Sequence, residues 1–141
     1  MPPDVLFVYG TLMSCATGRL GLAERARLYR EGRSLGPART AGRLYDLGLY
    51  PGMTEPRAPG EIVHGEAVRL ADARRTLAWL DIYEGIGAGD GHDEYARVEG
   101  PVWLVSGGEL NAALYLYRGD LGRARRLPCG RWPATGEPSG G

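Results

Sequence analysis

Apolar positions along this chain follow two periods, and the change from one to the other marks its elements. Val5 to Tyr9 is a short continuous run of β-branched and aromatic residues ending at Gly10, the pattern of a buried strand. A loop runs from Gly10 to about Gly18. Across residues 19–31, Leu20, Leu22, Ala23, Ala26 and Leu28 recur between arginines, which predicts an amphipathic helix closed by Gly32. Residues 38–49, centred on Gly42-Arg43-Leu44-Tyr45-Asp46-Leu47, read as a second strand broken by the turn signal Tyr50-Pro51-Gly52. Pro51, Pro56 and Pro59 make residues 51–60 an exposed loop.

Strand character resumes from Ile62 to Leu70. The clearest helix is Ala71 to Glu84, with Asp72 able to cap its start and Gly85 to end it. A glycine-rich segment, Gly85 to Gly91, precedes two strands, Tyr95 to Val105 and Leu110 to Tyr117, joined across Gly107-Gly108 as a two-residue hairpin. Strands with two interrupting helices, and no repeat of the parallel βαβ unit, predict an α+β domain or a small barrel with helices outside. Residues 1–132 form one domain in this reading, and 133–141 form a flexible tail.

Composition narrows the function. The chain has 141 residues, 43% hydrophobic and 24% charged, which suffices for one packed core. Seventeen basic side chains balance seventeen acidic ones, and all seventeen are arginine. Zero net charge argues against nucleic acid or an anionic membrane as the main partner. The absence of lysine excludes lysine Schiff-base chemistry, pyridoxal-phosphate attachment and lysine-dependent phosphate loops. Cys15, Cys129, His64 and His92 lack metal-ligand spacing, so neither a metal nor a disulfide framework is expected. The start, Met1-Pro2-Pro3-Asp4, lacks the charged and apolar regions of a signal peptide, and no apolar run reaches membrane-span length. The expectation is a soluble cytoplasmic protein.

Glu84 is the most informative residue. At about 100° per residue, Ala73, Leu77, Leu80 and Glu84 fall on one stripe of the second helix, so the carboxylate points inward or into a cleft. Burial and the negative end of the helix dipole both favour its protonated form and raise its pKa, as a general base near neutrality requires. Against this stand fraying before Glu84, neutralisation by an arginine, and Asp81 as a competing inward acid. Tyr9-Gly10-Thr11-Leu12 empties a strand into a glycine bend, either an ordinary turn or an anion site built from backbone N–H groups. Tyr115 and Tyr117 share one face of the last strand, as pocket lining or as core-edge residues. Arg123, Arg125 and Arg126 read as a solvated face, and Gly85, Gly87 and Gly89 follow a helix rather than a strand, so they are no dinucleotide fingerprint.

Taken together, the ordered pieces Val8-Tyr9-Gly10-Thr11-Leu12, Gly42 to Gly48 with Tyr50-Pro51-Gly52, Val63-His64-Gly65-Glu66, Leu80-Asp81-Ile82-Tyr83-Glu84-Gly85, Glu94-Tyr95-Ala96-Arg97 and Ala113 to Tyr117 resemble the gamma-glutamylcyclotransferase-like family. They span roughly residues 5–133. The resemblance implies a compact mixed β-barrel with flanking helices and a pocket at one mouth, working without a cofactor. It implies a small-molecule γ-glutamyl substrate whose α-amino group attacks its own γ-carbonyl, releasing 5-oxoproline and an amine. Carried over, the acid/base is Glu84, and the substrate-binding positions are Tyr9, Gly10, Thr11, Leu12, Gly52, Tyr95 and Tyr115. The loops at 51–60 and 85–91 are expected to bound the leaving-amine side. The resemblance leaves the protein a monomer or a small homo-oligomer. Rival functions are a non-catalytic small-molecule binding protein that keeps the pocket, and a hydrolase using Cys15 with His64 as base.

Overall fold

The computed structural model describes residues 2–16, 18–86 and 93–132. The predicted tail and most of the glycine-rich segment after Gly85 lie outside these residues. Strand β1 (Val5–Val8) is buried along its whole length, which explains an apolar run without alternation: both of its faces meet protein. Val5 and Phe7, with Tyr9 beyond them, face the barrel interior, whereas Leu6 and Val8 face the helices.

Helix α1 (Leu22–Glu31) leads directly into β2 (Gly32–Ala41), followed by β3 (Arg43–Asp46), β4 (Pro51–Thr54) and β5 (Ile62–Leu70). Helix α2 (Ala73–Tyr83), the hairpin strands β6 (Tyr95–Leu104) and β7 (Glu109–Tyr117), and the short β8 (Arg125–Arg126) complete the chain. Five strands close a barrel in the order β1-β5-β2-β6-β7. All its pairings are antiparallel except the closing contact of β1 with β7, where Leu6 opposes Ala113. The expected α+β barrel with flanking helices is therefore the observed fold. A second sheet, β4-β3-β8, lies beside the barrel, and Leu44 and Met53 from it join the interior core.

Several expectations change. Gly32 to Pro37 belongs to β2, although glycine, proline and charge disfavour a strand there; nine pairings with β5, stepped by an irregularity between Ser34 and Gly36, override local preference. Pro51 opens strand β4 rather than a turn, because the reversal falls at 47–50 and Asp46 pairs with Pro51. The β6–β7 reversal occupies residues 105–108, longer than a two-residue turn, with Trp103 opposite Glu109. Of the leucines in the first amphipathic stretch only Leu28 faces inward: Leu20, which precedes α1, and Leu22 are exposed, and Arg25 shares the inward face with Leu28.

The two helices are tied by Glu31. Its carboxylate accepts from the Thr76 hydroxyl at 2.7 Å, Trp79 Nε1 at 3.0 Å and Arg27 Nε at 2.9 Å. These bonds hold its pKa down at about 2, chiefly through Thr76. A carboxylate lowered in the folded state stabilises above its unfolded pKa near 4.5 and loses that contribution as pH falls towards 2. Wild type should therefore exceed Glu31→Gln in urea midpoint at pH 7, with the difference shrinking between pH 4.5 and 2. A difference independent of pH counts against this linkage.

Candidate active site

Asp72 caps α2 by accepting from the Arg75 N–H, which sets the helix phase. Leu77 and Leu80 are fully buried and Ala73 packs beside them, so the same stripe delivers Glu84 to the inner side. The helix ends there by a Schellman motif. Gly85, at φ 80°, donates its N–H to the Ile82 carbonyl, and Ile86 N–H reaches Asp81 O. A residue with a side chain is strained at that φ, so Gly85 fixes Glu84 as the C-cap of the helix.

Glu84 opens onto a cavity of about 250 Å³ at the end of β1. Tyr9, Gly10, Thr11 and Leu12 form one wall, Tyr50 and Pro51 a second, and Glu94, Tyr95 and Tyr115 a third, with Tyr83 and Leu20 at the margin. Among the described residues, the Glu84 carboxylate makes no salt bridge and accepts no hydrogen bond. Desolvation, then repulsion from Glu94 and from Asp81, raises its pKa to about 7. Asp81, the competing acid, is committed elsewhere: it accepts from Tyr115 Oη at 2.7 Å and pairs with Arg97 Nε at 3.3 Å.

The tyrosines contribute rings rather than free hydroxyls. Tyr9 Oη donates to the Tyr115 carbonyl at 2.6 Å and accepts from the Met53 N–H. Tyr95 Oη donates to the Pro51 carbonyl at 2.9 Å. Burial pushes three of the cavity phenols, Tyr9, Tyr95 and Tyr115, well above the ordinary tyrosine range, so they stay neutral. Among the described residues no cluster of three or more His, Cys, Asp or Glu is placed to hold a metal ion. No helix among them is long and apolar enough to cross a membrane.

The model of the family described as "Gamma-glutamyl cyclotransferase, AIG2-like" matches residues 6–134. The chain belongs to this family. A Vibrio cholerae protein named "Putative gamma-glutamylcyclotransferase" is 37% identical over 102 residues, covering 71% of this chain and 78% of that protein. Among solved structures, ytfP from Escherichia coli aligns with TM-score 0.62 at 29% identity, over 91% of this chain and 95% of its own. YkqA from Bacillus subtilis aligns with TM-score 0.64 at 20% identity over 92% of this chain; this chain spans only 39% of YkqA. That last likeness concerns the fold.

Placed on this cyclotransferase fold, the positions singled out in the sequence converge with one exception. Tyr9, Gly10, Thr11, Leu12, Glu84, Tyr95 and Tyr115 line the same cavity. Gly52 does not. It sits beneath, paired with Tyr45, where a Cβ would come within 2.8 Å of Leu47 Cδ1 and 3.0 Å of the Tyr117 ring. Its neighbour Pro51 lines the wall instead. Residues 55–60 are exposed and held by Glu61, whose carboxylate accepts from the Arg57 and Ala58 N–H groups, so only the start of the proline-rich stretch bounds the site. Cys15 is exposed and His64 stands on β5 opposite Arg39; neither lines the cavity.

Four participants escaped the sequence reading of roles. Glu94 and Tyr50 line the cavity and are bonded to each other. Glu66, only 7% exposed, anchors the bend from below by accepting from Ser14 N at 2.7 Å and Ser14 Oγ at 2.9 Å. Arg25, 8% exposed, grips the same loop from the helix side, donating to Thr11 O at 2.7 Å and Gly18 O at 3.0 Å. Arg25 sat unnoticed because an arginine in an arginine-rich helix reads as solvated. Its spacing of three from Leu28 is the one signal available.

Gly10 is required by space, since its φ is not positive. A Cβ there would lie 2.8 Å from both Cδ and Cγ of Pro51, a ring that cannot swing aside. Gly10→Ala should therefore push the first two walls apart. We expect a loss of about 1–3 kcal/mol in stability, read by urea denaturation, together with a raised KM. An unchanged KM counts against the close approach as a determinant of the site.

Proposed function

We propose that this chain is a cofactor-independent cyclotransferase that releases 5-oxoproline from a γ-glutamyl amine or γ-glutamyl amino acid, with Glu84 as general acid/base. The observation that carries the reading is a desolvated carboxylate, unpaired among the described residues, facing the glycine bend across one small cavity. The name of the Vibrio cholerae relative supports the same reaction class.

The bend supplies donors for the substrate's α-carboxylate. Gly10 O takes the Met13 N–H and Glu66 takes the Ser14 N–H, while the N–H groups of Thr11 and Leu12 have no protein acceptor among the described residues. The Glu84 carboxylate accepts a proton from the α-ammonium. The freed nitrogen lone pair attacks the γ-carbonyl carbon, forming the ring C–N bond. The bond to the departing nitrogen then breaks as Glu84 returns its proton there, and the remaining surplus proton leaves with the amine as an ammonium. An α-amino pKa of about 8 lies only about one unit above a Glu84 at about 7, so the first transfer costs roughly 1.4 kcal/mol rather than the roughly 5 kcal/mol of an ordinary glutamate. Neutral rings of Tyr9, Tyr95 and Tyr115 confine the chain into a folded shape, where intramolecular closure gains most from positioning.

The test is 5-oxoproline release from a panel of γ-glutamyl amines and amino acids, with wild type beside Glu84→Gln and Cys15→Ala. Release by wild type and Cys15→Ala, lost in Glu84→Gln, supports the reading. Full turnover by Glu84→Gln, or no release from any panel member, overturns it.

A further inference from the structure

We infer that Glu94, held by Tyr50, is a specificity-determining residue that selects a leaving amine carrying a second, positively charged group. The inference rests on the cyclotransferase reading and extends it to the class of amine released.

Among the described residues the cavity is charged in one sense only. Glu84 and Glu94 line it, and no arginine does, although the chain carries seventeen. Seven arginine ion pairs lie among the described residues, and none has a member lining the cavity: Arg27 with Glu31, Arg69 with Asp4, Arg97 with Asp81, Arg118 with Glu55, Arg125 with Asp46, and Arg43 and Arg126 with Glu61. Glu94 itself has no guanidinium partner among the described residues; it is oriented instead by a neutral donor, Tyr50 Oη, at 2.5 Å from Oε1. A single neutral bond fixes a carboxylate without neutralising it, and leaves its second oxygen for a ligand.

Position separates the roles of the two acids. Glu84 caps the C-terminus of α2 beside the bend that the γ-glutamyl head is proposed to occupy. Glu94 immediately precedes β6, and Tyr50 ends the 47–50 reversal, so their bond joins two rims of the mouth, where both residues are half-buried. A head seated against Thr11 and Leu12 sends its variable amine outwards, past this pair. Tyr50 and Tyr95 stand with ring centroids 6.5 Å apart at the same rim, suited to an alkyl chain between Glu84 and Glu94. An ammonium at the end of that chain meets Glu94, a carboxylate there meets a like charge, and a neutral end meets neither gain nor repulsion.

The experiment compares three γ-glutamyl amides of matched length: 5-aminopentyl, 5-hydroxypentyl and 4-carboxybutyl. Turnover is followed as 5-oxoproline, and binding to Glu84→Gln protein is followed by calorimetry, which reads preference without chemistry. We expect wild type to favour the ammonium amide over the hydroxyl amide by about tenfold in kcat/KM, with the carboxylate lowest, and Glu94→Gln to bring all three within about twofold. Tyr50→Phe should leave an intermediate ratio. The same order in binding, lost when Glu94→Gln is added, supports the inference even if no amide is turned over, a result that would overturn only the cyclotransferase reading. No preference in wild type, or an equal fall for all three amides in Glu94→Gln, overturns the inference and assigns Glu94 to the substrate head or to structure.

Discussion

Glu84→Gln is expected to lower kcat for 5-oxoproline release by about 10²–10⁴, with KM changed far less. Glutamine keeps the shape of the side chain and removes only the ability to carry a proton between two nitrogens. Glu84 accepts no hydrogen bond among the described residues, so the variant breaks none there and should fold as wild type does. The pH profile gives an independent reading. Glu84 must be ionised to accept the ammonium proton, so kcat/KM should rise with pH through about 7 and fall below it. That limb disappears in Glu84→Gln. In Glu94→Gln it should move to lower pH, because repulsion from Glu94 is the second cause of the raised value after desolvation. A limb near the ordinary glutamate value in wild type would sink the assignment of Glu84 as a desolvated base.

Glu66→Ala should cost about 2–4 kcal/mol of stability and raise KM together, the largest structural effect expected outside the apolar core. Glu66 is buried with no cationic partner among the described residues. Its four bonds come from Ser14 N at 2.7 Å, Ser14 Oγ at 2.9 Å, Ser34 Oγ at 2.5 Å and Tyr29 Oη at 3.1 Å. They join β5, β2, α1 and the loop after the glycine bend at one point. Alanine leaves those donors without an acceptor in a place water reaches poorly, and leaving a donor unsatisfied costs more than a bond contributes. At this chain length the expected loss corresponds to roughly 10 °C in Tm. The functional part follows from Ser14, whose N–H is the next along from the Thr11–Met13 turn. Glu66→Gln, which keeps one carbonyl acceptor, should fall between the two. A Glu66→Ala protein within about 0.5 kcal/mol of wild type by urea denaturation would show that the network is decorative.

Sequence pattern reached furthest where one element decides its own geometry. The stripe Ala73, Leu77, Leu80, Glu84 needs only the helical period and a cap at each end, and Asp72 and Gly85 supply both. The uniformly apolar β1 and the alternation of Leu114 and Leu116 against Tyr115 and Tyr117 were legible for the same reason. Legibility failed on α1, where composition suggested leucines inward. The interior there needed a donor for the carbonyls of Thr11 and Gly18, so Arg25 was buried and Leu22 left in water. It failed again at Gly32 to Pro37, whose strand exists only because β5 lies beside it. Gly52, carried over as a binding position, proved to be a packing position under the Tyr117 ring.

By itself the sequence determined that a carboxylate ends an apolar helical stripe and that a strand stops at a glycine bend, since helical and strand periods are properties of local chain geometry. Only the tertiary structure decided that the two meet across one cavity, that Asp81 is taken by Tyr115 and Arg97 while Glu84 has no partner among the described residues, and that Glu94 stands at the mouth with Tyr50. Those facts depend on barrel closure, which brings residues separated by dozens of positions within a few ångströms, and no period along the chain encodes which charges are then left facing one another.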